Sequence, residues 1–234
     1  MTKFASLVVS GMICASSMAF AQTDAIAVNT VAEVAVPTPW TPEDGDIIDF
    51  EVLRKGKPFG RHVLTFTRAA DGALTVVNDV DLKVKIGPIT AFRYTLDSTE
   101  RWAGGQLVSM TGNTNNDGKK TSVDAEAVDG KLVVESSLFD GELPAETIPS
   151  SHWNILQAYS SQMLSAESGE VLPIEQVNLG VETIEAGGQQ IEATHYRLLS
   201  DIDVDLWYDD QSRWVKLAFE ARGQSIEYVL SELY

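Results

Sequence analysis

Apolar and polar residues alternate with a period of two along most of the chain after Asp46. Ile48, Phe50 and Val52 share one parity, and a longer alternation runs through VDLKVKI at residues 80–86. This period is typical of a β-strand that buries one face and exposes the other. Turn sequences rich in Gly, Asp and Asn separate the segments at regular intervals, which predicts a meander of antiparallel strands.

The period changes once, in the segment SHWNILQAYSSQML that begins at Ser151. Ile155, Tyr159 and Met163 recur there at helical spacing, and a serine pair precedes them as a candidate N-cap. We therefore predict one helix near residues 150–165. Its apolar side needs a partner, which in a β-rich domain is the face of the sheet.

Together these patterns predict a mainly all-β fold. We expect residues 45–234 to form one domain, built as a single strongly curved antiparallel sheet or half-open barrel with one helix packed on its apolar face. A chain of 234 residues is long enough to bury the core of one such domain.

Three aspartates stand at alternate positions in DIDVDLWYDD, residues 201–210. The segment does not fit a calcium-binding EF-hand loop, because Leu206 and Ser212 occupy the positions that require Gly and Glu. It fits a strand that forms a hairpin with RWVKLAFEAR, residues 213–222. The predicted register pairs Leu206 with Val215, Val204 with Leu217, Ile202 with Phe219, Asp205 with Lys216, and Trp207 with Trp214. In this register the last two pairs share the polar face.

The first residues have the features of a secretory signal peptide over residues 1–21. Lys3 supplies a positive start, an apolar run follows, and the run ends in the cleavage-site sequence AFA. We expect cleavage between Ala21 and Gln22. The protein is therefore predicted to be exported, with the periplasm as its compartment.

Two further features concern the region around the predicted cleavage site. Cys14 is the single cysteine and would leave with the leader, so the mature chain has no thiol for disulfides or thiolate chemistry. Residues 22–44 are rich in Ala, Val and Pro and are predicted to be a flexible tether. No later apolar run is long enough for a transmembrane helix.

The chain carries 17 Lys and Arg residues against 34 Asp and Glu residues, a formal net charge of −17. Phosphate binding needs clustered basic side chains, so this balance argues against a nucleic-acid partner. It also argues against charge-driven adhesion to anionic lipid surfaces. The one basic cluster lies in RKGKPFGR, residues 54–61. It is interpreted as a solvated hairpin end, with an anion site as the minor alternative.

No catalytic, metal-binding or cofactor-binding motif is recognisable in the chain. His62, His152 and His195 are far apart in sequence, and no local spacing supports a three-histidine metal site. With so many carboxylates, neighbouring acid pairs carry little information about catalysis. We expect no catalytic residue, no metal site and no cofactor.

Four aromatic residues are candidate contacts for a ligand or a partner, although packing is the more frequent role for each one alone. Trp153 and Tyr159 lie on the predicted helix and would flank an apolar groove between helix and sheet. Trp207 opposite Trp214 on the polar face would be an exposed aromatic pair, which often marks a contact surface.

Several segments resemble an uncharacterised family of secreted proteins from Gram-negative bacteria, which carries a domain-of-unknown-function label. The resemblance spans about residues 46–233 and keeps the order of the motifs. Its motifs are FEVLRKGKPFGRHVLTFTR, VDLKVKIGPITAFRY, STERW, GGQLVSMTGNTNNDGKK, LPAETIPSSHWN and HYRLLSDIDVDLWYDDQSRWVKLAFEARGQSIEYVL. The family implies no catalytic residues. Its organisation is similar to that of the periplasmic lipoprotein-carrier half-barrels, an analogy of fold that says little about function.

Three classes of function remain open at this point. The leading hypothesis is a non-enzymatic periplasmic binding or carrier protein that holds a lipid or another hydrophobic ligand in the groove beside Trp153 and Tyr159. The second is a cell-envelope interaction or structural protein that meets a protein partner through its outer sheet face. The third is an enzyme of unrecognised type.

Overall fold

The computed structural model describes residues 36–234, apart from the side chain of Ile86. The predicted signal peptide, its cleavage site and residues 22–35 of the predicted tether lie outside the described residues. The described chain forms strands β1 to β16 and one short helix. The strands are β1 Ile47–Arg54, β2 Lys57–Arg68, β3 Leu74–Ile86, β4 Ile89–Ala103, β5 Gln106–Asn116, β6 Lys119–Val128, β7 Lys131–Ser136, β8 Asp140–Pro144, β9 Ile148–Pro149, β10 Gln162–Leu164, β11 Val171–Pro173, β12 Glu175–Ala186, β13 Gln189–Leu199, β14 Val204–Tyr208, β15 Trp214–Ala221 and β16 Gln224–Leu230.

Thirteen of the strands form one antiparallel sheet in the order β12-β13-β14-β15-β16-β1-β2-β3-β4-β5-β6-β7-β8. The sheet consists of two meanders, β1–β8 and β12–β16, joined where β16 pairs with β1. It curves without closing, so β8 and β12 remain as its edges. The predicted all-β fold with one curved antiparallel sheet is confirmed.

Residues 145–174, named here the crossover segment, carry the chain from one edge of the sheet to the other across its concave face. The segment contains a small sheet in the order β11-β10-β9 and the 3₁₀ helix Ile155–Tyr159. Its contacts reach both meanders: Trp153 packs edge-on against Phe66 of β2, and the hydroxyl of Tyr159 lies 2.8 Å from that of Tyr196 in β13. The crossover segment therefore bridges the two meanders on the concave face.

The helix is shorter than the span of 150–165 that the sequence predicts. Asn154 begins the turn by accepting a hydrogen bond from the backbone N–H of Leu156, and Ser160 already has an extended backbone. The chain then pairs as β10 with both β9 and β11, which buries Met163 in a strand. An extended segment can pair with its neighbours while it crosses the sheet, so tertiary pairing overrides the helical periodicity.

The apolar residues of the alternation at the start of the domain face inward, as the sequence predicts. Ile48, Phe50 and Val52 are fully buried, and Leu64 and Phe66 of β2 join them on the concave face. Each such apolar side chain contributes about 1.5–3 kcal/mol by leaving water. The concave face is thus the core of the molecule.

The predicted hairpin of β14 and β15 is present, but its predicted register is wrong. Val204 pairs with Phe219, Leu206 pairs with Leu217, and Trp207 pairs with Lys216, with a register shift before the Tyr208–Trp214 pair. Ile202, which the prediction placed opposite Phe219, precedes the strand and is 49% exposed. The register differs from the prediction because the loop between the two strands, residues 209–213, is wider than a tight turn. Asp209 closes it by accepting hydrogen bonds from the backbone N–H groups of Gln211 and Arg213.

The chain before β1 lies against the sheet from Trp40 onwards. The indole of Trp40 packs 5.2 Å from the ring of Phe66 and 4.9 Å from that of Tyr234. The carbonyl of Pro42 accepts hydrogen bonds from the guanidinium of Arg68. The last residues of the predicted tether are therefore held on the domain.

Candidate functional site

A cavity of about 510 Å³ lies between the concave face of the sheet and the crossover segment. One wall comes from the first meander, with Phe59, Leu82 and Phe92, and the opposite wall comes from the second meander. Leu217, Phe219 and Ile226 form that second wall. The cavity therefore exists only because β16 pairs with β1 and brings the two meanders together.

The walls are apolar for a local reason, since inward-facing positions of the strands carry the apolar residues of the alternation. The rings of Phe59 and Phe92 stack 6.0 Å apart, and Phe219 lies 6.5 Å from Tyr228. Phe92 and Phe219 stay partly exposed. A water-accessible apolar surface of this kind is favourable for binding an apolar ligand.

A few polar groups interrupt the apolar lining. On the side of the crossover segment, the hydroxyl of Tyr94 donates a hydrogen bond of 3.2 Å to Oε2 of Glu167. Burial raises the pKa of Tyr94 well above its usual value, so the phenol remains protonated. Two guanidinium groups, those of Arg54 and Arg222, also belong to the lining.

His152, also in the lining, holds the crossover segment in place. Its backbone has a φ of +68°, which is strained for a residue other than glycine. Its carbonyl accepts hydrogen bonds from the hydroxyl of Tyr208 at 2.7 Å and from Nε2 of Gln157 at 3.2 Å. Burial lowers the pKa of His152 to about 4, so the ring is neutral at neutral pH.

His62 lies in β2 and is buried against the ring of Trp214. Among the described residues its side-chain partner is Asn78 and not a carboxylate. Its Nε2 is 2.5 Å from Oδ1 of Asn78, and both His62 and His152 have ring centroids 5.5 Å from that of Trp214. Burial, with a smaller contribution from His152, lowers the pKa of His62 to about 3. Both histidines are therefore neutral, packed groups at neutral pH.

Glu100 is a buried acid that the alternation could have revealed, because it occupies an inward-facing position of β4. Its Oε2 accepts hydrogen bonds from the indole of Trp102 at 2.8 Å and from that of Trp153 at 3.1 Å. Burial raises the pKa of Glu100. The carboxyl group ties the crossover segment to the sheet away from the cavity.

Two of the predicted contact residues, Trp153 and Tyr159, do not line the cavity. Trp153 is buried between Trp102 and Phe66, and Tyr159 meets Tyr196 at the second meander. Both residues fasten the crossover segment to the sheet. The groove that the sequence placed beside them is displaced toward the ends of β1, β3 and β15.

The other two predicted residues, Trp207 and Trp214, lie on opposite faces of the sheet, so their predicted pairing is wrong. Trp214 is fully buried inside the half-barrel, 4.4 Å from the ring of Phe50. Trp207 is on the convex face but only 7% exposed. It stacks on His195 at 4.2 Å, and the ammonium of Lys216 lies 5.2 Å from its ring centre.

His195 belongs to this convex-face cluster and is separate from the other two histidines. Its Nε2 lies 2.8 Å from Oδ1 of Asp205, and its Nδ1 lies 3.3 Å from Oε1 of Glu182. Arg197 also binds Asp205 through both carboxylate oxygens. In residues 36–234, no group of three or more His, Cys, Asp or Glu side chains has the arrangement of a metal site. In the same part of the chain, no helix has the length and apolar character needed to cross a bilayer.

Comparison with known proteins places the fold and the family. A solved crystal structure with a similar fold is that of a beta-barrel-like protein of the domain of unknown function DUF1849 from Brucella abortus. The two share 14% sequence identity and superpose with a TM-score of 0.54, over 80% of this chain and 95% of the other. A comparison with curated proteins finds no match. The model of the domain of unknown function DUF6134 matches residues 50–231, and the chain therefore belongs to the DUF6134 family.

Proposed function

We propose that this protein is a non-enzymatic binding or carrier protein for a hydrophobic ligand. The observation that carries the proposal is the apolar cavity of about 510 Å³ between the two meanders and the crossover segment. Ligand sites of proteins typically have volumes of about 300–1,000 Å³, apolar walls and a few polar groups. The cavity meets each of these criteria.

The size of the cavity favours a ligand with a long or branched apolar part. An apolar protein cavity of about 150 Å³ takes up one benzene molecule. The present cavity is several times larger and is open to solvent on one side. A lipid chain or a molecule of comparable apolar size would fit. The leader-like residues 1–21 support export, so we place this activity in the periplasm.

Native mass spectrometry with organic extraction of the protein, purified from the periplasm, tests this function. The discriminating variant is Val80→Trp, because Val80 lines the cavity and a larger side chain would occupy it. The matched control is Val77→Trp in the same strand, where the side chain is 47% exposed on the convex face. We expect wild type and Val77→Trp to retain an extractable apolar ligand and Val80→Trp to lose it.

Circular dichroism of each variant verifies that the sheet is intact. A folded Val80→Trp variant that binds as much apolar ligand as wild type would contradict the proposal. Protein that neither retains an apolar compound nor takes one up on addition would contradict it as well.

A further inference from the structure

The basic residues of this acidic protein are concentrated at one end of the sheet. Six connections turn at that end, and four of them, β15–β16, β1–β2, β3–β4 and β5–β6, carry basic residues. More than half of the chain's 17 Lys and Arg residues lie in or beside these turns. They are Arg54, Lys55, Lys57, Lys83, Lys85, Arg93, Lys119, Lys120 and Arg222. Sheet pairing therefore gathers cations that are scattered along the sequence.

This basic end is also the end at which the cavity opens. Arg54 and Arg222 both line the cavity. They come from adjacent hairpins, since Arg54 pairs with Ile226 across β1 and β16 and Arg222 forms the turn that leads into β16. The guanidinium of Arg54 lies 5.6 Å from the ring centre of Phe59, which is part of the apolar wall. The cavity thus has an apolar body and a cationic entrance.

The two guanidinium groups are available to an incoming anion. Among the ion pairs of residues 36–234, none involves Arg54 or Arg222, whereas Arg93 and Lys83 share the carboxylate of Asp81. Arg222 is exposed and Arg54 is half-buried. A partly desolvated arginine binds carboxylate or phosphate oxygens through paired, charge-assisted hydrogen bonds.

Acidic groups also lie near the cavity, on either side of the two arginines. Asp201 and Asp203 belong to the loop that precedes β14, and Glu167 belongs to the crossover segment and accepts the hydroxyl hydrogen of Tyr94. An anion would therefore be disfavoured beside Glu167 and beside the β13–β14 loop, and favoured between them, where Arg54 and Arg222 lie. This arrangement defines where a charged headgroup would sit.

Building on the function proposed above, we infer that the ligand is an anionic amphiphile. Its apolar chain lies in the cavity, and its carboxylate or phosphate binds Arg54 and Arg222 at the entrance. The shared chemistry is a singly charged oxyanion joined to a long apolar chain. A free fatty acid and a lysophospholipid both have it.

Titration calorimetry with delipidated mature protein tests the inference, with each probe kept below its critical micelle concentration or, for the uncharged probe, below its solubility limit. The probes are palmitate, 1-palmitoyl-lysophosphatidylglycerol and the uncharged alcohol hexadecanol, which have the same chain length. We expect hexadecanol to bind about tenfold or more weakly than the better of the two anions, a difference equal to one charge-assisted interaction. Whichever anion binds more tightly identifies the source of the headgroup.

The variants Arg54→Gln and Arg222→Gln should each weaken the binding of the preferred anion and leave hexadecanol unchanged. Arg54→Lys should retain part of the affinity, and Arg101→Gln, an exposed arginine at the opposite end of the sheet, should have no effect. Added salt should weaken anion binding in the wild type more than in the variants, because the entrance is exposed.

Equal affinity for palmitate, the lysolipid and hexadecanol would overturn the inference about the headgroup and leave the hydrophobic-carrier function standing. The same conclusion would follow if folded Arg54→Gln and Arg222→Gln proteins bound the preferred anion as wild type does. Failure of all three probes to bind would count against both the inference and the proposed function.

Discussion

At the scale of single residues, buried polar groups of this protein form hydrogen bonds that hold the crossover segment on the sheet. Glu100 receives two indole N–H groups, and the carbonyl of His152 receives a hydroxyl and an amide. Inward parity identifies Glu100 as a buried acid, but its partner Trp153 comes from a distant part of the chain. Sequence reasoning could therefore find the buried group and not the contact that it makes.

Glu100→Gln should change how stability depends on pH. Burial raises the pKa of Glu100 in the folded protein above its usual value of 4.5, so the folded state binds the proton more tightly than the unfolded state. The stability that this group contributes is present at low pH and is lost as pH rises from about 4.5 through the raised pKa. Relative to Glu100→Gln, wild type should lose unfolding free energy over that range in urea titrations.

The contrasting variant is Glu100→Ala, which leaves the indoles of Trp102 and Trp153 without their acceptor. Each buried donor without a partner costs about 1–3 kcal/mol. Glu100→Ala should therefore be less stable than Glu100→Gln at every pH. A pH profile of Glu100→Gln parallel to that of wild type would show that Glu100 has no raised pKa.

The buried histidines have the opposite dependence on pH. Burial lowers the pKa of His62 to about 3 and that of His152 to about 4, so the unfolded state takes up protons first on acidification from about 6.5. Stability contributed by the neutral rings is present above pH 6.5 and is lost as pH falls toward 4. The variants His62→Gln and His152→Gln should each have a flatter profile than wild type between pH 6.5 and 4, measured by urea unfolding. A slope as steep as that of wild type in both variants would contradict this assignment.

At the scale of elements, strands and hairpins are local and were predictable, whereas registers and the crossover segment were not. The alternation identifies β14 and β15, but the five residues between them set the register, and Asp209 stabilises that wider loop. The helical spacing in the crossover segment competes with strand pairing. Ile148 and Met163 pair in the small sheet, and this pairing decides the outcome.

Tyr208→Phe should loosen the crossover segment more than the sheet. The hydroxyl of Tyr208 donates to the carbonyl of His152 and accepts from Nε2 of Gln157 at 2.6 Å. Removing the hydroxyl should lower the unfolding free energy by about 1–3 kcal/mol and raise the rate of amide hydrogen exchange in residues 150–160. Tyr228→Phe, a buried tyrosine outside these two bonds, is the control. Equal amide hydrogen exchange of residues 150–160 in the two variants would show that this hydroxyl does not hold the crossover segment on the sheet.

Gly112 in β5 should not tolerate a side chain. A Cβ at this position would lie 2.7 Å from the carbonyl oxygen of Ala166 in the crossover segment and 2.8 Å from Cγ1 of Val123. Gly112→Ala should therefore lower the unfolding free energy by about 1–3 kcal/mol, since a backbone group must move. Thr111→Ala, its exposed neighbour on the convex face, should be close to neutral in the same thermal unfolding measurement. A stable Gly112→Ala variant would mean that the crossover segment packs less closely. A glycine inside a strand is the sequence signal for this approach.

At the scale of the whole molecule, pairing of β1 with β16, which joins the two meanders, creates the cavity and collects the basic turns. Net charge argued against a nucleic-acid partner and against charge-driven adhesion to anionic lipid surfaces. The basic cluster at residues 54–61 was interpreted as a solvated hairpin end, with an anion site as the minor alternative. The fold instead adds Arg222 to Arg54 at the cavity entrance. The total charge does not describe the local field, because exposed charges act over about one Debye length, roughly 8 Å at physiological salt.

Removal of the ligand should lower the stability of the whole domain. A ligand that binds only the folded state adds about 2.7 kcal/mol when its concentration is a hundred times Kd. Delipidated protein should therefore melt below protein that is reloaded with its extracted ligand, by scanning calorimetry. Val80→Trp, whose cavity is filled, should give the same melting temperature with and without the extract. Identical melting of delipidated and reloaded wild type would contradict a ligand role for the cavity.

The sequence by itself determined the β class, the inward parity of residues such as Phe50 and Phe66, and the positions of most turns, because these depend on neighbours a few residues apart. The tertiary structure decided that Trp207 and Trp214 lie on opposite faces, since one register shift separates them. It also decided where the cavity lies. That depends on β1 pairing with β16 and on a crossover segment that spans both meanders, and no local pattern encodes contacts between such distant segments.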